Sequence, residues 1–342
     1  MEDDENRHPF RDWEPPLPPA RETATGEARR VGVELEMIGP GVSDVSAIVA
    51  DQVGGRCEKK SPYEHIVHGD EAGEWRVELD WEYLKRKGRE EAPDTDLAAF
   101  VDETAERLVR AGAETIVPVE VISPPLPMRR LADLQSLIVR LRDAGARGTG
   151  AGISYAFGLQ LNPELPSLDA RTIASYLKAF FCLYEWLEKR SAPDFTRKLT
   201  RFTAPFPAAY VRKTIDPEYW PPQDRLIDDY LADNPTRNRA LDMLPLFLHL
   251  DEARVRAVVE DPRVKPRPTL HYRLPNCEID EPGWGIHIPW GDWLKVERLA
   301  TDRDRLERIC RAYARWLDKP MRHLFENWAR EVESWLGEKA GR

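Results

Sequence analysis

Five carboxylates, Glu34, Glu36, Glu78, Asp80 and Glu120, fall on short segments in which every second residue is apolar. In 31–37 (VGVELEM), Val31, Val33, Leu35 and Met37 share one parity while Glu34 and Glu36 share the other, the period-2 signature of a half-buried strand. In 74–81 (EWRVELDW), Trp75, Val77, Leu79 and Trp81 oppose Arg76, Glu78 and Asp80, and 116–122 sets Glu120 against Val117, Val119 and Val121. A single E-x-E on a strand is ordinarily a solvated face. Three strands with carboxylates at the same parity are different, because the charges repel one another unless cations sit among them. Hard divalent ions such as Mg²⁺ or Mn²⁺ prefer carboxylate oxygens and commonly complete their shell with substrate phosphates, so the pattern points to nucleotide chemistry.

Two further strand-like segments carry polar residues at matching parity. Segment 154–162 (SYAFGLQLN) presents Gln160 and Asn162 beside the small residues Ala156 and Gly158, which would let a ligand approach the backbone. Segment 268–274 presents His271 and Arg273 opposite Leu270, Tyr272 and Leu274. In 234–250 (NPTRNRALDMLPLFLHL), Asn234 or Thr236 can cap a helix whose first turn holds Arg237 and Arg239. Cations there oppose the helix dipole, and two arginines beside free backbone N–H groups suit phosphate or carboxylate. A lone histidine is more often hydrogen-bonded structure than a ligand, and His249 reads that way. The aromatic residues of 176–187 recur at helical spacing and read as core.

The elements that must hold these residues are strands alternating with helices. Helices are expected at 43–53, ending at Gly54 and Gly55, at 96–111, ending at Gly112, and at 129–144, ending at Gly145, each with glycine where a left-handed cap belongs. The second half reads as mostly helical, with helices over 169–189, 293–317 and 319–336. Between them, 190–222 contains six prolines and the cations Arg190, Arg197, Lys198, Arg201, Arg212 and Lys213, which suits a functional loop. Residues 1–28 combine charge and proline with almost no aliphatic side chains and are expected to form a flexible or surface-draped tail.

Composition bounds the function. A chain of 342 residues, 42% hydrophobic, is long enough for one large core or two modest ones. A net charge of −10 argues against a dedicated nucleic-acid binder, since phosphate neutralisation needs surplus Lys and Arg. No apolar run approaches the roughly 20 residues that span a bilayer, and the first thirty residues contain no signal-peptide core. A cytoplasmic protein without nucleic-acid or membrane partners is therefore expected, with a homo-oligomer left open. Cys57, Cys182, Cys277 and Cys310 are too far apart in sequence for a C-x-x-C motif, which makes zinc chemistry an unneeded assumption.

The motifs VGVELEM, WRVELDW, VEVISPPL, FGLQLN, NPTRNRALDMLPLF and LHYRLPN, in this order over residues 29–320, resemble the amidoligase family. That family is similar to glutamine synthetase and γ-glutamylcysteine ligase. The resemblance implies an α+β fold: a curved antiparallel β-sheet with metal and nucleotide on its concave face and helices packed behind. It also implies a carboxylate–amine ligase that uses ATP and Mg²⁺ (or Mn²⁺) to make an acyl phosphate, which an amine then attacks to form an amide or peptide bond. Its partners would be small-molecule or peptide carboxylates and amines. Carried over, Glu34 and Glu36 match the metal-binding E-x-E and Glu120 a later metal glutamate, while Glu78 or Asp80 would complete a shell. Arg237, Arg239 and Arg273 match arginines that hold phosphate and stabilise charge in transfer, and Gln160 and Asn162 would face nucleotide or substrate. Two positions depart from the pattern: Gln160 stands where the family has a metal-binding histidine, and His271 where it has a glutamate, so His271 becomes a candidate ligand in exchange. The implied organisation is a tail over 1–28, a ligase domain over 29–320 and a C-terminal helix over 321–342. Two alternatives stay open: another metal-dependent phosphoryl-transfer enzyme, and a degenerate ligase fold kept as a binding module.

Overall fold

The computed structural model describes residues 13–80, 117–149, 157–191, 204–319 and 327–337. The fold is α+β with an antiparallel sheet that does not close, and the chain divides into two compact units. Both the helix expected at 96–111 and Trp81 lie outside the described residues.

The first unit comprises residues 1–15, 32–160 and 276–288. Its strands are β1 (Arg30–Met37, from Gly32 on), β2 (Arg56–Ser61), β3 (Glu64–His68), β4 (Trp75–Leu79), β5 (Val119–Ile122) and the short β6 (Leu126–Pro127). They lie in the order β2-β3-β4-β5-β1, with β6 also pairing β1. The expected alternation holds: Val33, Leu35, Met37, Trp75, Val77, Leu79, Val119 and Val121 are all buried. Helix α1 (Val42–Val53) packs on β3 and β4 and against α2 (Leu131–Asp143). Its last turn closes on Gly54 at φ +64°, whose backbone N–H reaches back to Ala50 and Asp51, the left-handed cap that glycine alone adopts without strain. The hairpin β2–β3 is not evident in the sequence, because 56–61 (RCEKKS) has no buried face of its own. Asp70 fastens this end of the sheet to α2. It takes two bonds from Arg130, at 2.7 and 2.9 Å, and one from the Trp75 indole at 2.9 Å.

The second unit comprises residues 16–31, 161–275 and 289–342. Its sheet orders β7 (Leu159–Pro163, from Leu161 on), β9 (His271–Tyr272) and β8 (Leu241–Asp242), with Leu161 and Leu241 both opposite Tyr272. Helix α3 (Ala170–Ser191) is its axis: Ile173, Leu177, Phe180, Phe181, Leu183, Trp186 and Leu187 are among its buried residues. Around it pack α4 (Ala208–Ile215), α9 (Arg303–Asp318) and α10 (Trp328–Leu336). Among the described residues its other helices are α5 (Gln223–Asp233), α6 (Leu244–Leu250), α7 (Glu252–Arg256) and α8 (His287–Thr301, from Pro289 on). The aromatic run 176–187 is core, as its spacing predicts. Buried with it is an ion pair in which Arg29 Nη1 and Nη2 meet the two oxygens of Glu297 at 3.0 and 2.7 Å. Tyr176 and Trp293 donate to the same carboxylate, at 2.5 and 2.9 Å. Every oxygen of a charge so deeply buried needs a donor, and Glu297 has four.

Three expectations need correction. The segment 190–222, expected as a functional loop, carries helix α4 at Ala208–Ile215. The helix read from 234 onward starts at Leu244, and Arg237 and Arg239 lie in a non-helical segment before it. Pro245 explains the shift: without an N–H it belongs in the first turn, and Asp242 Oδ1 takes the Leu244 N–H at 2.9 Å. The helix read over 293–317 is two, α8 and α9, because Asp302 turns the chain and caps α9 by accepting the Arg305 N–H. Among the described residues, no helix is long and apolar enough to cross a membrane.

Candidate functional site

Strand register in the first unit gathers the carboxylates. Across β1 and β5 Glu36 stands opposite Glu120, and across β5 and β4 Glu120 stands opposite Glu78. Across β4 and β3, Glu78 stands opposite Glu64. Directly opposed residues of antiparallel strands hold their Cβ atoms about 4.5–5.5 Å apart, so four glutamates form a file across four strands. Glu34 lies two residues along β1 from Glu36, and Asp80 follows β4 at the parity of Glu78, so all five sequence-predicted carboxylates share this face. The apolar residues alternating with them are driven inward, and that burial turns the carboxylates outward together.

Desolvation, and then repulsion from Glu34, Glu36, Asp80 and Glu78, hold the Glu120 carboxyl well above the usual carboxylate range. Burial also raises Glu78, against the pull of Arg76, whose Nε lies 3.7 Å from both Glu64 and Glu78. Glu36 is held by the Gly158 N–H at 2.8 Å, so what approaches the backbone of this glycine is the Glu36 carboxylate. Gln160 donates its side-chain N–H to Glu34 at 3.1 Å. The donor set is all oxygen with one amide, the chemistry that suits Mg²⁺ or Mn²⁺. In the side-chain positions adopted here, no three His, Cys, Asp or Glu groups among the described residues already form a metal-holding cluster. An ion would have to draw the carboxylates inward.

The second unit gathers cations. Arg273 Nη1 donates to the Arg237 carbonyl at 3.0 Å, and its backbone N–H donates to the Ala240 carbonyl, so Arg273, next after β9, grips the segment 237–240 at both ends. Burial and the like charges of Arg273 and Arg263 lower the Arg237 guanidinium, with Asp242 and Asp261 acting the other way. Arg239 differs. Its guanidinium donates to the carbonyls of Ala204, Pro205 and Asp233 and lies over the Phe206 ring, so its bonding is committed to backbone. His271 is desolvated and faced by Arg267, Arg273 and Arg237, which hold its imidazole neutral. Asn162, in β7, is almost fully buried.

Two acids escape sequence reading. Glu64 belongs to the file through the β2–β3 hairpin, which leaves no alternating pattern in 56–61 to announce it. Asp242 lies opposite His271 across β8 and β9, and burial raises its carboxyl to about 6 in spite of the Leu244 N–H, Arg273 and Arg237. An aspartate three residues before a proline was the available signal, since it marks a helix start.

The carboxylate file belongs to the first unit and the arginine pair to the second. The family model described as "Putative amidoligase enzyme" matches residues 27–295, and the chain belongs to that family of ligase-type enzymes. No curated protein and no solved structure matches the chain.

Proposed function

We propose that the chain is an ATP-dependent carboxylate–amine ligase of the glutamine synthetase and γ-glutamylcysteine ligase type. The observation that carries this reading is the file Glu36–Glu120–Glu78 in direct register, a set of like charges whose cost in the free protein is explained if a divalent cation is their partner. Glu34, Glu36, Glu120 and Glu78, with Asp80, are the residues that would hold Mg²⁺ or Mn²⁺ on the concave face of the sheet. The ion would neutralise phosphate oxygens and draw charge off the γ-phosphorus.

A substrate carboxylate oxygen attacks that phosphorus and ADP leaves, giving an acyl phosphate. An amine then attacks the acyl carbon, phosphate departs, and the amine nitrogen loses a proton. Arg237 and Arg273 are assigned to phosphate oxygens as charge develops. Arg239 keeps the segment that bears Arg237 in shape. Gln160 orients Glu34, Asn162 is assigned to the nucleotide or substrate, and His271, held neutral, offers a ring nitrogen as ligand or acceptor.

The test is ADP release from ATP and Mg²⁺ across a panel of carboxylates and amines, with EDTA as control. Release with one pair, lost with EDTA, is expected. A second reading, a degenerate fold retained as a binding module, is favoured by one observation: Gln160 turns an N–H donor toward Glu34 instead of a lone pair. Calorimetry separates the two, since a bare scaffold binds neither Mg²⁺ nor nucleotide.

A further inference from the structure

The segment 234–240 holds polar groups that its own fold leaves unsatisfied. Asn234 is wholly buried, and neither its Oδ1 nor its Nδ2 has a hydrogen-bond partner among the described residues. Five residues on, Arg239 Nε is buried and likewise without one. Arg237, between them, is half-buried among the like charges of Arg273 and Arg263. Folded proteins pair nearly all buried polar side chains, so three unpaired polar atoms on two side chains within six residues mark a place where a partner is missing.

The backbone is not the cause. Asn234 N–H donates to Tyr230 at the end of α5, its carbonyl takes the Thr236 N–H, and Arg273 fixes the Arg237 carbonyl. The main chain is therefore held while the side chains wait, an arrangement suited to a segment that responds to a ligand.

We propose that Asn234 is a positioning residue of an anion site: phosphate oxygens bound at Arg237 and Arg273 reorder the side chains of 234–240, on a main chain already fixed, so that the Asn234 amide acquires its partners. This rests on the ligase reading for the identity of the anion, a nucleotide phosphate. The amide would then contribute nothing to the free protein and much to the liganded one. A residue that only supports the fold behaves in the opposite way.

The experiment compares wild type with Asn234→Leu, which has nearly the same shape and no polar atoms, using ADP and inorganic phosphate as probes. Without ligand the variant is expected to melt a few degrees above wild type, and in calorimetry to bind ADP at least tenfold more weakly. In wild type, saturating ADP is expected to slow hydrogen exchange over 234–240. A lower melting temperature in the variant, including failure to fold, would mean that the amide is already satisfied and overturns the proposal. Undiminished ADP affinity in the variant, or exchange over 234–240 indifferent to ADP, overturns it as well. If wild type binds neither ADP nor phosphate, the ligase reading itself falls and takes this inference with it, a result readily told from the others.

Discussion

Glu36 stands directly opposite Glu120 across β1 and β5, so two carboxylates face each other in one register pair. Because desolvation and four neighbouring carboxylates raise the Glu120 carboxyl, the folded chain keeps a proton that the unfolded chain releases above its ordinary value of 4.5. Stability of the metal-free protein therefore falls as pH rises from about 4.5 through the raised value, and it is regained on acidification. In EDTA, the melting temperature of wild type should drop between pH 5 and pH 8, and Glu120→Gln should flatten that slope. An identical slope in the variant would show that the carboxylates do not interact.

Glu36→Ala should abolish Mg²⁺-dependent ADP formation while leaving the fold intact. Two opposed effects set its stability: relief of repulsion within the file, and loss of the acceptor for the Gly158 N–H, a bond of about 0.5–1.5 kcal/mol. The sum should stay within about 1 kcal/mol of wild type in denaturant unfolding. Retained turnover in this variant would place the metal elsewhere.

Arg273 and Arg239 should part company under mutation. Arg273→Ala is expected to lower kcat by on the order of 10²-fold, with Arg273→Lys giving no rescue. A point charge cannot hold the Arg237 carbonyl and grip two phosphate oxygens with the planar fork of arginine. Arg239→Ala frees three backbone carbonyls instead, so it should lower the melting temperature and change ADP release only as folded protein is lost. Steady-state kinetics beside thermal melts separates the two, and a pure kcat defect in Arg239→Ala would reverse their assignment.

Arg29→Met should destabilise the second unit by about 3–5 kcal/mol, because Glu297 then stays buried with its charge uncompensated. Adding Glu297→Leu should recover a large part of that loss. A double variant no more stable than the single one would mean that packing around Tyr176 and Trp293 dominates over charge.

How far the sequence could be read follows from what each pattern depends on. Period-2 alternation is local, so the faces of β1, β4 and β5, and the shared side of Glu34, Glu36, Glu78, Asp80 and Glu120, were visible in it. Gly54 and Gly145 marked helix ends because a positive φ is a property of one residue. Register is not local: nothing in 64–68 (EHIVH) says that Glu64 will face Glu78. Around 234–250, Asn234 and Thr236 imitate a cap, but Pro245 sets the true start of α6 and leaves Asp242 paired with His271 on a strand. The placing of Arg239 against Ala204 and Pro205 joins distant segments and has no sequence signature.

The pairing of Arg29 with Glu297 also sets a schedule for synthesis. The two residues are 268 positions apart, and translation at roughly 5–20 residues per second separates their emergence by about 13–54 s. Throughout that interval the guanidinium lacks the carboxylate that makes its burial affordable, and α3 lacks the later helices that cover it. The second unit is therefore a late-closing assembly that nascent chains cannot finish on the ribosome before α8 appears. Chains truncated ahead of Glu297 should be captured by chaperones or proteases, however complete the first half of their sequence.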